Sequence, residues 1–187
     1  TDAFEASYGG AEANVAVSLA VLKDPVSFVT KLPENPVGTA ALNEVRRYGA
    51  DTSKVVIGGS RLGIYFFEKG TDIRPTNVVY DREGSALALA KPEEFHWDEI
   101  LKDTDIFYFS GVTPAVSENI AKAVLEALKY CKAHGIETVC DLNYRSKMWD
   151  TKKAQSVMSE LMNYVTLCIA NDEDFESSLG IHAYDGD

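Results

Sequence analysis

The sequence predicts an α/β protein with a parallel β-sheet and a smaller antiparallel β segment. From Asp105 onward, apolar runs typical of buried strands alternate with amphipathic helical stretches, which is the order of βαβ units. From about Thr52 to Tyr80 the runs are rich in β-branched and aromatic residues and show no helical period, as in antiparallel strands. A chain of 187 residues with 45% hydrophobic content can bury a substantial core.

The first part of the chain predicts a helix, a short strand and a second helix. Residues 12–22 are apolar almost all round, which predicts a helix that is buried on most sides. Residues 26–29 predict a short buried strand. Asn35 and Pro36 suit the N-cap and first turn of the second helix, and Gly49 suits the position just past its end.

Three β-rich runs in the middle of the chain predict one antiparallel sheet. They cover residues 55–57, 62–67 and 77–80 and are separated by glycine and proline. Side chains alternate along a strand, and the run 64–67 is apolar throughout, so both of its faces are apolar. A small exposed sheet does not tolerate this alone. We expect one face to cover a ligand and the other to pair with a second subunit in a homo-oligomer.

The last part of the chain predicts strands and helices in strict alternation. They are expected in turn at residues 106–109, 117–135, 136–142, 152–162, 165–170 and from 171 onward. Ser117 suits the start of the first of these helices and Gly135 its end. Such βαβ units bring the carboxyl ends of the strands to one edge of the sheet, where ligands bind in this fold class.

Charge and cysteine content narrow the choice of partners and compartment. The chain carries 18 Lys and Arg against 29 Asp and Glu, a net charge of −11, which argues against nucleic acid and anionic membranes as partners. Cys131, Cys140 and Cys168 form no Cys-x-x-Cys pair and suit buried, reduced thiols. No apolar run is long enough to cross a bilayer and no signal peptide is visible. We expect a cytoplasmic protein.

Both ends of the chain look cut. The sequence starts at Thr1 without an initiator methionine, and it stops at Asp187 shortly after the start of a predicted helix. We therefore expect the natural protein to continue in both directions.

Polar clusters follow three of the predicted strands. The clusters are residues 110–113, 141–145 and 171–174. Helix capping explains the first cluster at least as well as ligand binding does. Asp141, Asn143 and Arg145 stand at alternate positions, so we expect them to leave the strand on one side. Their burial would be costly unless they pair with one another or face a ligand.

The pair Gly9-Gly10 precedes the first predicted helix. Glycines at a helix start allow close backbone approach to a ligand and leave N–H groups available. The run matches neither the Gly-x-Gly-x-x-Gly dinucleotide pattern nor the P-loop pattern. A tight turn into a buried helix is an equally good interpretation.

Four motifs in order resemble the PfkB carbohydrate kinases. They are Gly-Gly-Ala-Glu-Ala-Asn-Val-Ala at 9–16, Lys-Leu-Pro-Glu-Asn-Pro-Val-Gly at 31–38, Asp-x-Asn-x-Arg at 141–145 and Asn-x-x-Asp at 171–174. Within this family, the chain most resembles the branch that phosphorylates 2-keto-3-deoxygluconate. The features that favour this branch are the first two motifs together with residues 63–65 and 80–86. The resemblance implies a ribokinase-like three-layer α/β/α sandwich with a small antiparallel β lid.

The resemblance also implies roles for individual residues. The implied substrate-binding residues are Gly10, Asn14, Tyr65, Tyr80, Arg82 and Arg145. Asp141 and Asn143 would be associated with phosphate and Mg²⁺, with no direct metal ligand in the chain. Asn171 and Asp174 match the family's Asn-x-x-Glu motif, which helps to hold Mg²⁺ partly through water. Asp174 is one methylene shorter than the family's Glu, so its role requires an extra water or a backbone shift.

The implied reaction transfers the γ-phosphoryl group of ATP, with Mg²⁺, to the terminal hydroxyl of a small anionic sugar. The family's catalytic base is the Asp of a Gly-Ala-Gly-Asp motif, which does not occur in the sequence. We expect that motif and the nucleotide site beyond Asp187, and we expect the 187-residue chain alone to be inactive. The implied layout is the start of the α/β domain with the Gly-Gly turn at 1–51, a mainly β lid at 52–92 and the α/β core at 93–187.

Three other readings stay open on the sequence. A fructokinase or ribokinase of the same family acts on a neutral sugar and has less use for Arg82 and Arg145, whose guanidinium groups suit a carboxylate. A non-catalytic sugar-binding protein of the same fold lacks the Asp of the Gly-Ala-Gly-Asp motif. A nicotinamide-dependent enzyme is disfavoured by the missing dinucleotide pattern and by the β insertion.

Overall fold

The computed structural model describes residues 4–182, and the chain divides into two compact units. Unit 1 comprises Thr1–Tyr8 and Ala16–Ala90, and unit 2 comprises Gly9–Val15 and Lys91–Asp187. The two chain ends, on which the expectation of a longer natural protein is based, lie outside the described residues. The layout predicted at 1–51, 52–92 and 93–187 stays a prediction.

The elements of the first ninety residues are short. They are α1 (Ala11–Val21), β1 (Lys31–Leu32), α2 (Pro36–Arg46), β2 (Val56–Ile57), β3 (Ile64–Glu68) and β4 (Asn77–Asp81). In unit 1, Ala20, Val45 and Ala50 form a buried apolar cluster against which Val17, Val26 and Phe28 pack.

The two helices lie where the sequence predicts them. Asn35 caps α2, because its Oδ1 accepts a hydrogen bond from the Gly38 N–H at 2.9 Å. In α1 only Asn14, Ser18 and Val21 are exposed, and the other eight residues are buried or half-buried. The exposed residues follow one another at spacings of four and three, so they share one face, and the other sides of the helix are covered as the sequence predicts.

Strand pairing in unit 1 differs from the prediction in two ways. The predicted strand at 26–29 is only a single parallel bridge between Ser27 and Asp51. The predicted three-run antiparallel sheet contains two runs, because β2 pairs in parallel with β1 instead. Pairing partners are chosen by distant chain segments, so a local pattern of β-rich residues does not reveal them.

The antiparallel hairpin of β3 and β4 carries apolar side chains on both faces. Its register places Tyr65 opposite Tyr80. All five residues of β3 are exposed, and the exposed fraction of its four apolar residues runs from 38% for Ile64 to 60% for Phe67. These apolar side chains stay largely exposed, although the Phe4 ring lies 6.0 Å from the Phe66 ring.

Unit 2 holds a parallel sheet with strand order β5-β6-β7. Its elements are a 3₁₀ turn (Pro92–Glu94), α3 (Trp97–Ile100), β5 (Ile106–Ser110), α4 (Glu118–His134), β6 (Glu137–Asp141), α5 (Thr151–Met162), β7 (Leu167–Ile169) and α6 (Asp172–Leu179). This confirms the predicted alternation of strands and helices. Within residues 4–182, no helix combines the length and the apolar character needed to span a bilayer.

Local chemistry sets the limits of α4. The Ser117 hydroxyl oxygen accepts a hydrogen bond from the Ile120 N–H at 3.3 Å, and Gly135 ends the helix in the left-handed conformation at φ 71°. The face of α4 that packs on the unit 2 core is fully apolar. It consists of Ile120, Ala123, Val124, Ala127, Leu128 and Cys131.

The three cysteines are free thiols in the interior of the chain. Cys131 and Cys140 are buried and Cys168 is half-buried. Burial raises the pKa of Cys131 to about 11 and also raises the pKa of the other two thiols. Such thiols are mostly protonated near neutral pH and behave as small apolar side chains.

The ends of β5 and β6 approach each other at Gly111. The Gly111 N–H donates to the Asp141 carbonyl oxygen at 2.8 Å. A Cβ atom on residue 111 would overlap the carbonyl oxygen of Leu142, which is backbone and cannot move aside easily. Glycine is therefore required here by the close contact between two strand ends.

We predict that Gly111→Ala destabilises unit 2 by about 3 kcal/mol, because the new methyl group must displace packed backbone. Gly135→Ala is the matched control, since it meets a left-handed φ but no atom within 4 Å; it should cost only about 1 kcal/mol. The two tryptophans, Trp97 and Trp149, both lie in unit 2, so urea unfolding followed by their fluorescence reports on it. Equal losses in both variants would contradict the close contact at Gly111.

Candidate functional site

The candidate site in unit 2 begins with a carboxylate in the first turn of α1. Glu12 Oε1 accepts three hydrogen bonds: from the Ser110 N–H at 2.9 Å, from Ser110 Oγ at 2.8 Å and from Thr113 Oγ1 at 2.6 Å. Ser110 is the last residue of β5 and is fully buried. Helix capping was the favoured interpretation for this polar turn, yet both hydroxyl groups donate to Glu12.

Gly10 and Asn14 lie in the same segment as Glu12. The Asn14 N–H donates to the Gly10 carbonyl oxygen at 2.8 Å, so the two residues are one helical turn apart. Both residues are exposed. The structure therefore leaves these two predicted sugar-binding residues accessible at the start of α1.

The loop after β6 departs from the predicted alternation. The strand ends at Asp141, and Asn143 takes a left-handed conformation at φ 39°. The expectation that Asp141, Asn143 and Arg145 leave a strand on one side is therefore wrong, because the extended backbone stops before Asn143. The loop instead folds back so that the Asn143 backbone N–H donates to the Asp141 carboxylate. Arg145 is exposed, and its Nη1 donates to the Tyr144 carbonyl oxygen at 2.9 Å.

The Asn-x-x-Asp pair fastens the start of α6 to the same loop. Asn171 is the N-cap of α6, and its Oδ1 accepts from the Asp174 N–H at 2.7 Å. Asp174 Oδ1 accepts from the Tyr144 N–H at 3.1 Å. Both side chains thus have structural partners that also fix their positions at the carboxyl edge of the sheet.

Asp141 lies in an unfavourable environment for a carboxylate. Burial raises its pKa, and the negative charges of Asp174 and Glu12 raise it further. The Asn143 N–H and the Arg145 guanidinium act in the opposite direction but do not cancel the effect. A half-buried acid that is kept beside other acids is typical of a site that binds a cation or a proton.

The oxygen donors at this edge suit a hard cation such as Mg²⁺. Asp141, Asn143 and Asp174 offer carboxylate and amide oxygens, which Mg²⁺ prefers. No group of three or more His, Cys, Asp or Glu residues is placed to hold a metal ion directly within residues 4–182.

In unit 1, three predicted substrate-binding residues lie together on the hairpin. The rings of Tyr65 and Tyr80 are paired across the strands, with centroids 6.3 Å apart. The Arg82 guanidinium carbon lies 4.5 Å from the centroid of the Tyr80 ring. Arg82 follows the end of β4, and its stacking on Tyr80 brings the two side chains to the same face of the hairpin.

Arg61 fixes the backbone on both sides of Arg82. Its guanidinium donates to the carbonyl oxygens of Asp81 and Glu83 at 3.1 and 3.0 Å, and it forms an ion pair with the Asp81 carboxylate at 2.7 Å. Bonds that hold neighbouring carbonyls restrict the backbone of Arg82 itself. The Arg82 side chain therefore extends from a turn whose backbone is held in place.

Comparison with known proteins decides the family. The model of the pfkB family carbohydrate kinases matches residues 1–185. The chain belongs to the PfkB family of carbohydrate kinases. This confirms the resemblance noted in the sequence.

Solved and curated relatives of this PfkB-family chain include three informative cases. The crystal structure of a 2-dehydro-3-deoxygluconokinase from Thermotoga maritima superimposes with a TM-score of 0.95 at 47% identity, over 100% of this chain and 57% of that one. A PfkB family carbohydrate kinase from Listeria grayi gives 0.89 at 36% identity, over 96% and 56%. A 2-dehydro-3-deoxygalactonokinase from Haloferax volcanii is 37% identical over 95% of this chain and 55% of its own length.

These comparisons confirm the predicted ribokinase-like α/β fold class of the chain. The chain spans about half the length of the curated relatives that it matches. The individual site residues are not tested by the comparisons, so their roles in this PfkB-family chain stay predictions.

Glu12 and Arg61 are the residues of the candidate site that sequence reasoning missed. A single acid in an otherwise apolar helix start was a usable signal for Glu12, because a carboxylate in such a place needs donors. Arg61 carried no such signal, since it stands in an irregular stretch between two strands.

We predict that Asp141→Asn makes the fold of this PfkB-family chain more stable, while removing a carboxylate from the site. A pKa raised above its ordinary value of 3.8 means that the folded state disfavours the charged carboxylate. Wild type and variant should therefore be similar at low pH, and the advantage of the variant should grow as pH rises through the folded-state pKa.

The measurement is the midpoint of urea unfolding in metal-free buffer, taken between about pH 4 and about pH 7. Asp103→Asn removes the same charge from an exposed turn residue and serves as the control. A wild-type protein that gains stability over Asp141→Asn as pH rises would show that the carboxylate is stabilised by its surroundings.

Proposed function

We propose that the whole protein phosphorylates the acidic sugar 2-keto-3-deoxygluconate at its terminal hydroxyl, with ATP as phosphoryl donor. The observation that carries this proposal is the Arg82 guanidinium, which stacks on the Tyr80 ring and extends from a backbone held by Arg61, in a chain of net charge −11. A guanidinium fork suits the carboxylate of a sugar acid and has little use for a neutral sugar. The names of the Thermotoga and Haloferax relatives, a gluconate-type and a galactonate-type kinase, support the same class of substrate.

Each unit contributes proposed contacts of its own. In unit 2, Gly10 and Asn14 would bind sugar hydroxyls, and Arg145 would add a second cation. In unit 1, Tyr65 and Tyr80 would give the sugar an aromatic surface with hydroxyl donors, beside Arg82. The exposure of Gly10, Asn14 and Arg145 is consistent with these roles.

The acidic edge of unit 2 would serve the phosphoryl donor. Asp141, Asn143, Asn171 and Asp174 would be associated with the phosphate and with Mg²⁺, which Asn171 and Asp174 would help to hold partly through water. When bound, Mg²⁺ neutralises the charge of the transferring phosphate. The raised pKa of Asp141 supports this assignment, because a cation nearby would relieve the repulsion among the carboxylates.

The identity of the general base is still a prediction, because the motif expected to supply it does not occur in these 187 residues. Transfer to a hydroxyl needs a group that accepts its proton. We keep the expectation that the Asp of a Gly-Ala-Gly-Asp motif supplies it, and that the 187-residue chain alone does not turn over ATP. A cytoplasmic location likewise stays a prediction.

We predict that Arg82→Gln lowers kcat/KM for 2-keto-3-deoxygluconate by about 10- to 100-fold, the effect of losing a hydrogen bond between charged groups. Turnover of a neutral sugar such as fructose should be low in wild type and should hardly change in the variant. Steady-state phosphorylation by the full-length protein measures both. Arg74→Gln is the control, because Arg74 lies in the loop of the same hairpin and its guanidinium pairs with the Glu68 carboxylate at 2.8 Å.

Two outcomes would contradict the proposed substrate. Preference for fructose or ribose over the sugar acid in wild type would favour a neutral-sugar kinase. An equal loss for Arg82→Gln and Arg74→Gln would show that Arg82 does not meet the carboxylate.

A homo-oligomer through the hairpin is a further part of the proposal. The apolar side chains on both faces of β3 are exposed, which is unusual for an isolated chain. We predict that the full-length protein sediments as an oligomer and that Phe67→Asp shifts it toward monomer, because a charge would be buried in the contact. Ile73→Asp, at a 98% exposed residue in the hairpin loop, is the control. A wild-type monomer at high concentration would contradict this part alone.

A further inference from the structure

Glu12 has no role in the proposed chemistry, yet it makes the densest set of hydrogen bonds at the candidate site. We propose that Glu12 is a positioning residue, which fastens the segment Gly9–Val15 to the carboxyl end of β5 so that its sugar-facing side points away from that turn. The inference rests on the proposed function, because it deepens the assigned contacts of Gly10 and Asn14 with the sugar.

In the contact between Glu12 and the turn after β5, every hydrogen bond is donated by the turn and accepted by Glu12. One carboxylate oxygen accepts from a backbone N–H and from two hydroxyl groups. The Ser110 hydroxyl oxygen also accepts from the Val112 N–H at 3.3 Å, so its own hydrogen is directed to Glu12. Donors of this kind to a charged acceptor are among the strongest hydrogen bonds in proteins.

The turn that holds Glu12 is itself rigid. The Gly111 N–H donates to the Asp141 carbonyl oxygen, and the Thr113 N–H donates to the Ser110 carbonyl oxygen at 3.1 Å. Gly111 lies so close to Leu142 that no side chain fits between them. The donors to Glu12 are therefore fixed relative to β6, and Glu12 is fixed by them.

Because Glu12 and Asn14 lie on the same helix, the hydrogen bonds that fix Glu12 also set the direction of the Asn14 side chain. Residues along an α-helix are about 100° apart, so Gly10 and Asn14, four positions apart, lie on nearly the same side. Glu12 is about 200° from each, on the opposite side of the helix start. Fastening Glu12 to the turn at Ser110 thus turns Gly10 and Asn14 away from that turn. The exposure of both residues agrees with this arrangement.

The test compares side chains at position 12 in the full-length protein. Glu12→Ala removes the acceptor, and a displaced Asn14 should lower kcat/KM for the sugar by about 100-fold, chiefly through a higher KM for the sugar. The KM for ATP should change much less than the KM for the sugar, because Glu12 affects the proposed Mg²⁺ site only through its charge beside Asp141. Glu12→Gln keeps an acceptor oxygen on a stem of the same length and should recover most of the loss.

Two further variants keep the test decisive. Thr113→Val removes one of the three donors and should raise the sugar KM in the same direction by a smaller factor, even if Glu12→Ala fails to fold. Ser117→Ala removes the N-cap of α4, which costs stability without touching the segment Gly9–Val15. It should leave both KM values unchanged.

The outcomes separate this inference from the proposed function. If Glu12→Ala and Thr113→Val lower only the amount of active enzyme, with both KM values unchanged, Glu12 is merely structural and the inference is overturned. If wild type phosphorylates no sugar, the proposed function fails, and amide hydrogen exchange then tests the anchor. Faster exchange at the amides of residues 14–16 in Glu12→Ala than in Ser117→Ala supports the anchor, and equal exchange overturns it.

Discussion

The three hydrogen bonds to Glu12 Oε1 are the interaction on which the candidate site depends. They join the start of α1 to the turn after β5, although the two segments are about 100 positions apart in the sequence, at separations of 98 and 101 residues. No local pattern in the sequence connects these two segments, so the hydrogen bonds define how the start of α1 lies on unit 2. The acceptor is a carboxylate with three donors, two of them on a fully buried serine, which makes the contact strong.

The carboxylates at the acidic edge of unit 2 reduce the stability of the fold but suit the proposed function. Asp141 is partly buried and lies near the negative charges of Asp174 and Glu12, which a fold selected for stability alone would avoid. The same carboxylates become favourable when a cation and a polyphosphate are present. The rigid strand ends at Gly111 and the capped start of α6 hold them in place in the meantime.

Local chemistry made much of unit 2 predictable from the sequence. Ser117 and Gly135 mark the limits of α4 because a cap and a left-handed glycine act within one helical turn. The apolar stripe between them is buried as its spacing predicts. The alternation of strand and helix then specifies a parallel sheet, and its carboxyl edge is where the polar clusters lie.

What the sequence could not reveal depends on partners that are distant in the chain. The pairing of β2 with β1 and the donors to Glu12 come from segments whose approach is a property of the whole fold. The left-handed backbone of Asn143 broke the predicted alternation after β6, because a loop conformation is set by its anchors. The roles of Asn14, Arg82 and Arg145 toward a sugar come from family resemblance and chemical complementarity, and they need a bound ligand to test them.

A crystal structure of the full-length protein with 2-keto-3-deoxygluconate bound is the most direct measurement. The account predicts that the Asn14 amide lies within hydrogen-bond distance of a sugar hydroxyl while Glu12 still accepts from Ser110 and Thr113. It also predicts that an arginine guanidinium meets the sugar carboxylate. A sugar bound away from Gly10 and Asn14, or a Glu12 side chain that has turned away from Ser110, would contradict the account.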